Sequence, residues 1–289
     1  NESLRRWNRS VVTPPPAPPG PALLTIDHLS FSYDGVRQTL EEIDFTITEG
    51  EMVSIVGKNG AGKSTLAKLM CGFEKVDKGA ILYKGENIRH KSIKERAEFI
   101  GFVMQNPNQM ISKNLIFDEI ALGLRLRGVA EEEIKERVEQ VLEVCGLAPF
   151  IDWPISALSY GQKKRVTIAS ILILRPNILI LDEPTAGQDY RHYSEIMEFL
   201  RQINETGISI ILITHDMHLM LEYTPRAIVL SEGRLITDAP ASVVLTTQQV
   251  IEQANLKETS LYRLAQLAGI EDGTQFVQHF IDHEKVAAR

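Results

Sequence analysis

The residues most able to do chemistry lie in a glycine-rich loop, GKNGAGKST, at positions 57–65. The loop follows a short apolar run, MVSIV, and precedes a segment whose apolar residues have helical spacing. It matches the pattern GxxxxGK[ST] through Gly57, Gly62, Lys63 and Ser64. Glycines are needed here because backbone N–H groups must close around phosphate oxygens, which side chains would keep away. The loop therefore predicts a binding site for the phosphates of a nucleotide.

The loop side chains and the helix that follows should share the phosphate contacts. The positive N-terminal end of that helix points at the bound anion. We expect Lys63 to reach the β and γ phosphates and the hydroxyl of Ser64 to ligate Mg²⁺. The other candidate contacts in the loop are Asn59, Gly60 and Thr65.

Two adjacent carboxylates end a second apolar run, ILILDEPT, at positions 178–185. On its own, such a pair is often a solvated turn. In a chain with a phosphate loop, the pattern favours delivery of Asp182 to the metal and of Glu183 to an attacking water. Glu183 is therefore the candidate general base, a role worth about 10²- to 10⁴-fold in rate.

Further short motifs give the chain a resemblance to the nucleotide-binding subunit of ATP-binding-cassette (ABC) transporters. The sequence LSYGQ at 158–162 resembles the family signature LSGGQ, and the other motifs follow in the family's order. The similarity covers about residues 22–240. Six ordered motifs are far more specific than any one of the short ones.

The resemblance implies roles residue by residue. Tyr33, in the segment before Gly57, matches the aromatic that stacks on adenine, with ordinary packing as the alternative. Gln105, in FVMQNP, matches a glutamine that touches Mg²⁺ and senses the transmembrane partner. Asp189, in AGQD, matches an aspartate that crosses the dimer interface. His215, in ILITHD, matches a histidine that contacts the γ-phosphate.

The resemblance also implies a second nucleotide-binding domain, in a homodimer, a heterodimer or a fused pair. In the family, the signature of one subunit closes over the nucleotide of the other, so Ser159, Gly161 and Gln162 would complete the partner's γ-phosphate cage. Tyr160 stands where the family usually has glycine. A positive φ at that residue would cost about 1–3 kcal/mol. We therefore expect a helical backbone at Tyr160 and a ring directed away from phosphate.

The apolar pattern predicts an α/β fold. Alternating residues in 24–33 and 43–48 indicate antiparallel strands, and continuous apolar runs at 52–56, 178–181 and 208–213 indicate buried parallel strands. Helical spacing marks two further segments, 131–146 and 189–204. Together with the resemblance, this predicts a P-loop NTPase. It would have a mainly parallel core sheet, an N-terminal antiparallel β subdomain, an inserted α-helical subdomain and a small helical C-terminal tail.

The same sequence patterns and resemblance divide the chain into three parts. Residues 1–21 form a Pro-rich linker, 22–240 the ABC ATPase domain with its helical subdomain at about 106–157, and 241–289 a helical extension. A Pro-rich leader that does not begin with Met indicates the rear portion of a longer polypeptide, with an expression artefact as the alternative.

Composition excludes several classes of function. The formal net charge of -7 has the wrong sign for a chain that coats nucleic acid. The longest apolar runs are far shorter than the roughly 18 residues of a spanning helix. Cys71 and Cys145 form no CxxC pattern and are expected to be buried small hydrophobes. His pairs at helical spacing have no evident third ligand, so we expect no structural metal.

The form LSYGQKKR and the loop that begins at Gln105 resemble those of energy-coupling-factor (ECF) and cobalt-type importers. Asn108 departs from that subgroup, which has an acidic residue after the proline. The resemblance implies an ATPase, with ATP and Mg²⁺ as cofactors, that powers import of a small solute. That solute would be a vitamin, a vitamin precursor or a metal ion, with thiamine or its hydroxymethylpyrimidine precursor as one candidate.

The implied partner is an integral membrane transport subunit, so the chain should work at the cytoplasmic face of the cell membrane as a peripheral protein. An apolar path after Gln105 could grip a helix of that partner, with ordinary core packing as the alternative. The path consists of Met110, Ile111, Leu115, Ile116 and Phe117.

Two other classes of function remain open. A non-transport cassette could act as a chromosome clamp or a ribosome-associated factor. A clamp would need long coiled coils, and the sequence has no heptad run of sufficient length. A ribosome-associated factor would need a basic surface, whereas the net charge of this chain is negative. A metabolic kinase would use the phosphate loop without the signature that LSYGQ resembles.

Overall fold

Ten strands form two sheets in the computed structural model, which describes residues 3–4, 7–8, 20–186, 190–216, 222–254, 256 and 259–287. In chain order the strands are β1 (Ala22–Phe31), β2 (Leu40–Thr48), β3 (Met52–Val56), β4 (Lys78–Tyr83), β5 (Glu86–Asn87), β6 (Ile100–Val103), β7 (Ile178–Asp182), β8 (Ser209–Thr214), β9 (Arg226–Ser231) and β10 (Arg234–Pro240).

The smaller sheet has the order β2-β1-β4-β5, and its neighbouring strands are antiparallel. The larger sheet has the order β10-β9-β3-β8-β7-β6. Strands β9, β3, β8, β7 and β6 run parallel, and β10 is antiparallel to β9. The predicted fold class, an antiparallel N-terminal sheet beside a mainly parallel core sheet, is confirmed.

Helices connect and cover the strands. They are α1 (Lys63–Cys71), α2 (Ile93–Arg96), α3 (Ile116–Leu126), α4 (Glu131–Val144), α5 (Tyr160–Leu172), α6 (Tyr190–Glu205), α7 (Ala241–Val244), α8 (Gln248–Ala254), α9 (Ser260–Leu267) and α10 (Gly273–Ala287). Short 3-10 turns occupy Pro107–Gln109, Ala148–Phe150 and Ile155–Ala157. The connection between β6 and β7 is thus largely helical, as expected for an inserted helical subdomain.

The parallel strands read as continuous apolar runs because both of their faces are buried. In β7, Ile178 and Ile180 point to the core shared with α1 and the antiparallel sheet. Leu179 and Leu181 point to the opposite core, which contains residues of α3–α6. Both cysteines are free and buried, which confirms the prediction that they pack as small hydrophobic residues.

A third apolar core joins the C-terminal helices to the large sheet. Val277 of α10 packs in this cluster with Val229 of β9. The described N-terminal residues also reach α10, since the rings of Trp7 and Phe276 have centroids 5.9 Å apart. The side-chain oxygen of Asn8 lies 2.7 Å from Nδ1 of His279. The C-terminal tail is therefore packed against the large sheet and against the segment that precedes the Pro-rich stretch.

On the apolar path predicted after Gln105, Ile116 follows the alternative of ordinary core packing, because it is fully buried in the core. Leu115 on the same path is 42% exposed. Separately, no helix in the described part of the chain is both long and apolar enough to cross a membrane.

Candidate nucleotide site

The glycine-rich loop joins β3 to α1 and has the backbone that the sequence pattern requires. Gly57 and Gly62 have φ values of 154° and 100°. A Cβ atom at Gly57 would overlap the main-chain oxygen of Leu230, so a side chain is excluded there. Asn59 and Gly60 lie at the exposed tip of the loop. The loop thus keeps its main chain accessible to an anion.

Lys63 folds back over this loop. Its Nζ donates to the carbonyl oxygens of Gly57, at 2.7 Å, and Lys58, at 3.1 Å. Burial lowers the pKa of the Lys63 ammonium, and the nearby charges of Glu183 and Asp182 oppose that shift. An anion in the loop would add a further negative charge that favours the charged form of Lys63.

Ser64 and Asp182 bring two oxygen ligands together beside the loop. The Ser64 hydroxyl donates to Oδ2 of Asp182 at 3.3 Å. Burial raises the pKa of Asp182, while this hydrogen bond and the charge of Lys63 lower it. A half-buried carboxylate paired with a hydroxyl oxygen is a donor set that suits a hard divalent cation.

Glu183 follows directly in a strained conformation. Its φ is 45°, in the left-handed region that a non-glycine residue occupies at a cost of about 1–3 kcal/mol. Its N–H donates to the Ile213 carbonyl at 2.8 Å, and the Thr214 hydroxyl donates to its Oε2 at 3.3 Å. Its side chain is only 13% exposed. The turn therefore holds this carboxylate in one place at the carboxyl ends of β7 and β8.

His215 completes the group at the end of β8. Its Nδ1 lies 2.6 Å from Oε1 of Glu183, and 64% of its side chain is exposed. An ionised carboxylate only accepts hydrogen bonds, so Nδ1 carries the hydrogen and Nε2 is left for a second partner. Asp216 donates its N–H to the Thr214 hydroxyl at 2.9 Å, which fixes the turn around His215.

Tyr33 lies just beyond the end of β1, in a bend, and 55% of the residue is exposed. Its hydroxyl is 3.4 Å from the hydroxyl of Thr65, so the ring stands beside the start of α1. The edge contact with Phe31, at 4.8 Å between centroids, shows that the ring also packs. Its exposure and its contact with Thr65 are compatible with stacking on a base, which stays a prediction.

The signature residues begin α5. Ser159 is the N-cap: its hydroxyl accepts the N–H of Gln162 at 3.3 Å, and the Gln162 side chain accepts the N–H of Ser159 at 2.9 Å. A Cβ atom at Gly161 would meet nothing within 4 Å. Tyr160 is the first residue of the helix, which confirms the helical backbone expected at this departure from the family pattern.

Gln105 lies just beyond β6 and is exposed. In the parallel pairing of β6 with β7, Val103 is the partner of Leu181. Gln105 therefore leaves the sheet at the same edge as Asp182 and Glu183. Asp189, the remaining predicted site residue, lies outside the residues that the structure describes.

The sequence analysis did not identify Lys164, whose side chain joins α5 to the main chain at Gln105. It is 1% exposed, and its Nζ donates to the carbonyl oxygens of Met104, at 2.8 Å, and Gln105, at 2.9 Å. Burial lowers the pKa of Lys164 to about 8, and the charge of Asp182 opposes the shift. The sequence did contain a sign that Lys164 is buried, because it lies on the same helix face as the apolar residues Ile168 and Leu172.

Two comparisons place this arrangement among known proteins. The sequence profile described as "ABC transporter" matches residues 40–186. Among solved structures, cbiO1 from Clostridium perfringens, described as part of the ABC transporter complex cbiONQ, is 36% identical with a TM-score of 0.75. The alignment covers 86% of this chain and 99% of that one.

Curated relatives are more similar in sequence. A protein of Clostridium perfringens (strain 13 / Type A), provisionally named an ABC transporter ATP-binding protein, is 58% identical over 99% of this chain. One of the same provisional name from Enterococcus faecalis is 56% identical over 92% of this chain. The matches cover 50% and 47% of those proteins, so the chain spans about half the length of the curated relatives it matches.

Proposed function

Since this chain belongs to the ABC transporter family as an ATP-binding domain, we propose that it hydrolyses ATP to drive transport of a small solute through a membrane-embedded partner. The observation that carries the proposal is the carboxylate of Glu183, held in a strained turn beside Asp182 and hydrogen-bonded to His215. Strained residues persist where the surrounding structure over-determines them, and they cluster at functional sites.

In the proposed reaction, the main chain of the glycine-rich loop and the ammonium of Lys63 bind the phosphates. The carboxylate of Glu183 takes a proton from water as the water oxygen attacks the γ-phosphorus. The bond between the γ-phosphorus and the bridging oxygen breaks, giving ADP and inorganic phosphate. Nε2 of His215 donates a hydrogen bond to the γ-phosphate only if it is protonated, because Nδ1 already carries a hydrogen toward Glu183.

Asp182 and the Ser64 hydroxyl fit Mg²⁺, because both offer hard oxygen ligands within 3.3 Å of each other. Gln105, at the same edge of the sheet, would add an amide oxygen. When bound, Mg²⁺ would neutralise charge on the β and γ phosphates. The protein contributes the positions of these ligands and the partial burial of Asp182.

Transport requires a second nucleotide-binding domain and a membrane partner. We assign Ser159, Gly161 and Gln162 to the γ-phosphate of the opposite subunit, and Asp189 to the dimer interface. A fused pair is supported by the relatives, because the chain spans about half of their length. The segment after Gln105, which includes the exposed Leu115, would face the membrane partner at the cytoplasmic side.

The cargo assignment rests on the similarity to cbiO1 and on the signature form LSYGQKKR. An importer of the ECF or cobalt type is the proposal that these features support. Its solute would be a vitamin, a vitamin precursor such as hydroxymethylpyrimidine, thiamine itself, or a metal ion.

The first experiment measures phosphate release by the purified chain with ATP, with and without Mg²⁺. We expect Mg²⁺-dependent turnover that the Glu183→Gln variant loses while it still binds ATP. Turnover that is normal in Glu183→Gln would remove Glu183 from the role of general base. The absence of Mg²⁺-dependent turnover at every protein concentration tested would overturn the ATPase proposal.

A second experiment tests transport. The chain, tagged and expressed with its native neighbours, is extracted in detergent and its bound proteins are identified. A transmembrane scaffold together with a small solute-binding membrane protein is the expected result. Recovery of ribosomes or DNA in place of membrane subunits would favour a non-transport cassette.

A further inference from the structure

We propose that Tyr160 and Lys164 act together as positioning residues that hold the main chain of Gln105 at the nucleotide site. This inference rests on the proposed function, because Gln105 has a role only if the site hydrolyses ATP. Neither side chain is expected to touch the nucleotide bound by its own subunit's loop.

Two donors from one face of α5 converge on a single acceptor. The Tyr160 hydroxyl donates to the main-chain oxygen of Gln105 at 3.2 Å, and Nζ of Lys164 donates to the same oxygen at 2.9 Å. Residues four apart on a helix are neighbours on its surface, and a carbonyl oxygen has two lone pairs to accept both donors. The geometry thus anchors the main chain of Gln105 at one point.

Burial makes this anchor hard to release. Lys164 is 1% exposed, and its Nζ also donates to the Met104 oxygen at 2.8 Å. Losing both carbonyl partners would leave a buried ammonium without compensation, which is costly. The segment at Met104 and Gln105 is therefore tied to α5 more firmly than an exposed loop would be.

The anchor matters because the side chain of Gln105 is exposed and is not fixed by packing. Its distance from Asp182 is set by the main chain between β6 and the tie to α5. The same helix begins at Ser159, the cap of the signature.

The test uses Tyr160→Phe, Lys164→Met and the double variant, with steady-state ATP hydrolysis measured against ATP and Mg²⁺ concentrations. We expect kcat to fall about 10- to 100-fold in the double variant, because small misplacements of catalytic groups have effects of this size. KM for ATP should stay within about twofold, because the loop at 57–65 is unchanged. More Mg²⁺ should be needed for half-maximal rate.

Arg165→Met is the matched control. Arg165 lies on the same helix and also donates to a main-chain carbonyl, that of Cys145 at 3.1 Å, but not to Gln105. It should lower the melting temperature as the test variants do and leave kcat and the Mg²⁺ requirement unchanged. A kcat loss in Arg165→Met equal to that in the test variants would reduce the pair to general stabilisation of α5.

A Gln105→Ala background separates positioning from other effects. If Tyr160 and Lys164 act through the Gln105 side chain, their variants lower kcat no further in that background. Additive losses would overturn the proposal. Tyr160→Phe keeps the test decisive if Lys164→Met does not fold, because it removes only one hydroxyl from a residue that is 39% exposed.

A readout without nucleotide completes the test. Hydrogen exchange at the amides of 105–109 should be faster in Tyr160→Phe and Lys164→Met than in the wild type or in Arg165→Met. Unchanged exchange with unchanged kcat would overturn the proposed positioning while wild-type hydrolysis leaves the proposed function standing. A wild-type chain with no hydrolysis overturns both.

Discussion

Nδ1 of His215 lies 2.6 Å from Oε1 of Glu183, so the two candidate catalytic side chains form one hydrogen-bonded unit. The carboxylate is nearly buried and the imidazole is mostly exposed. The carboxylate of Glu183 is held at the ends of the strands, and the exposed imidazole of His215 can contact a ligand. The pair therefore has one fixed part and one part accessible to substrate.

Replacing Glu183 with Gln should lower kcat by about 10²-fold or more, because an amide cannot take the proton from water. The isosteric amide can still accept from Thr214, so ATP binding and the melting temperature should change little. Phosphate release and equilibrium binding of a fluorescent ATP analogue measure the two effects. A large loss of ATP affinity would instead point to a phosphate-binding role for the carboxylate.

Replacing His215 with Ala should lower kcat by about tenfold or more and leave stability within about 0.5 kcal/mol, because the side chain is 64% exposed. Urea unfolding and steady-state hydrolysis are the measurements. In the Glu183→Gln background, the His215 change should have a much smaller effect on kcat. Full additivity would contradict a shared unit.

A methyl group at Gly57 should abolish ATP binding and destabilise the fold, because its Cβ would overlap the main-chain oxygen of Leu230. Gly85→Ala, outside the loop, is the control: its φ of 83° is also unfavourable, but a Cβ there meets nothing within 4 Å. We expect Gly85→Ala to cost only about 1 kcal/mol and to leave ATP binding unchanged. Nucleotide titration and thermal unfolding of both variants check the contrast.

Arg96 should stabilise the end of the loop's helix. It is 3% exposed, and its guanidinium donates to the carbonyl oxygens of Leu69, at 2.7 Å, and Ile88, at 2.9 Å. Arg96→Met leaves these buried oxygens without a charged donor, so we expect a loss of about 2–4 kcal/mol in the free energy of unfolding. The exposed Arg89→Met, as the control, should change it by less than about 0.5 kcal/mol. Urea denaturation measures both.

Lys164 should make stability depend on pH. Burial lowers its folded pKa to about 8, below the ordinary value of 10.5, so between these two pH values the unfolded chain binds more protons at this residue. Its contribution to the free energy of unfolding therefore rises with pH across that window, with a slope of at most about 1.4 kcal/mol per pH unit. Wild type should gain stability relative to Lys164→Met from pH 8 to 10. A difference that stays flat would contradict the lowered pKa.

Much of the fold follows from sequence because the parallel strands are buried on both faces, which leaves mainly apolar residues in runs such as 52–56 and 178–181. The helical backbone at Tyr160 also followed from sequence, through the cost of a positive φ. Both inferences depend on local rules that hold wherever the segment lies.

Other features depend on partners distant in sequence. Nothing in the sequence near Gln105 reveals that its carbonyl accepts from Lys164, 59 positions away. The contact between Asn8 and His279 spans 271 positions. The sequence left two alternatives for Ile116, because an apolar residue at the start of a helix has the same sequence pattern whether it packs inward or faces a partner. Main-chain acceptors and long-range contacts leave no periodic signal.

The position of β3 in the large sheet has a consequence for how the chain acquires its site during synthesis. Val53 pairs with Ile211 of β8 and with Arg226 of β9, so both neighbours of β3 emerge from the ribosome more than 150 residues later. Pairings this distant are slow to form and leave strand edges open in the meantime. The glycine-rich loop is translated early, yet it gains its final support only when β9 is complete. A nascent chain stalled before that point would present an apolar strand to chaperones and would not yet bind nucleotide.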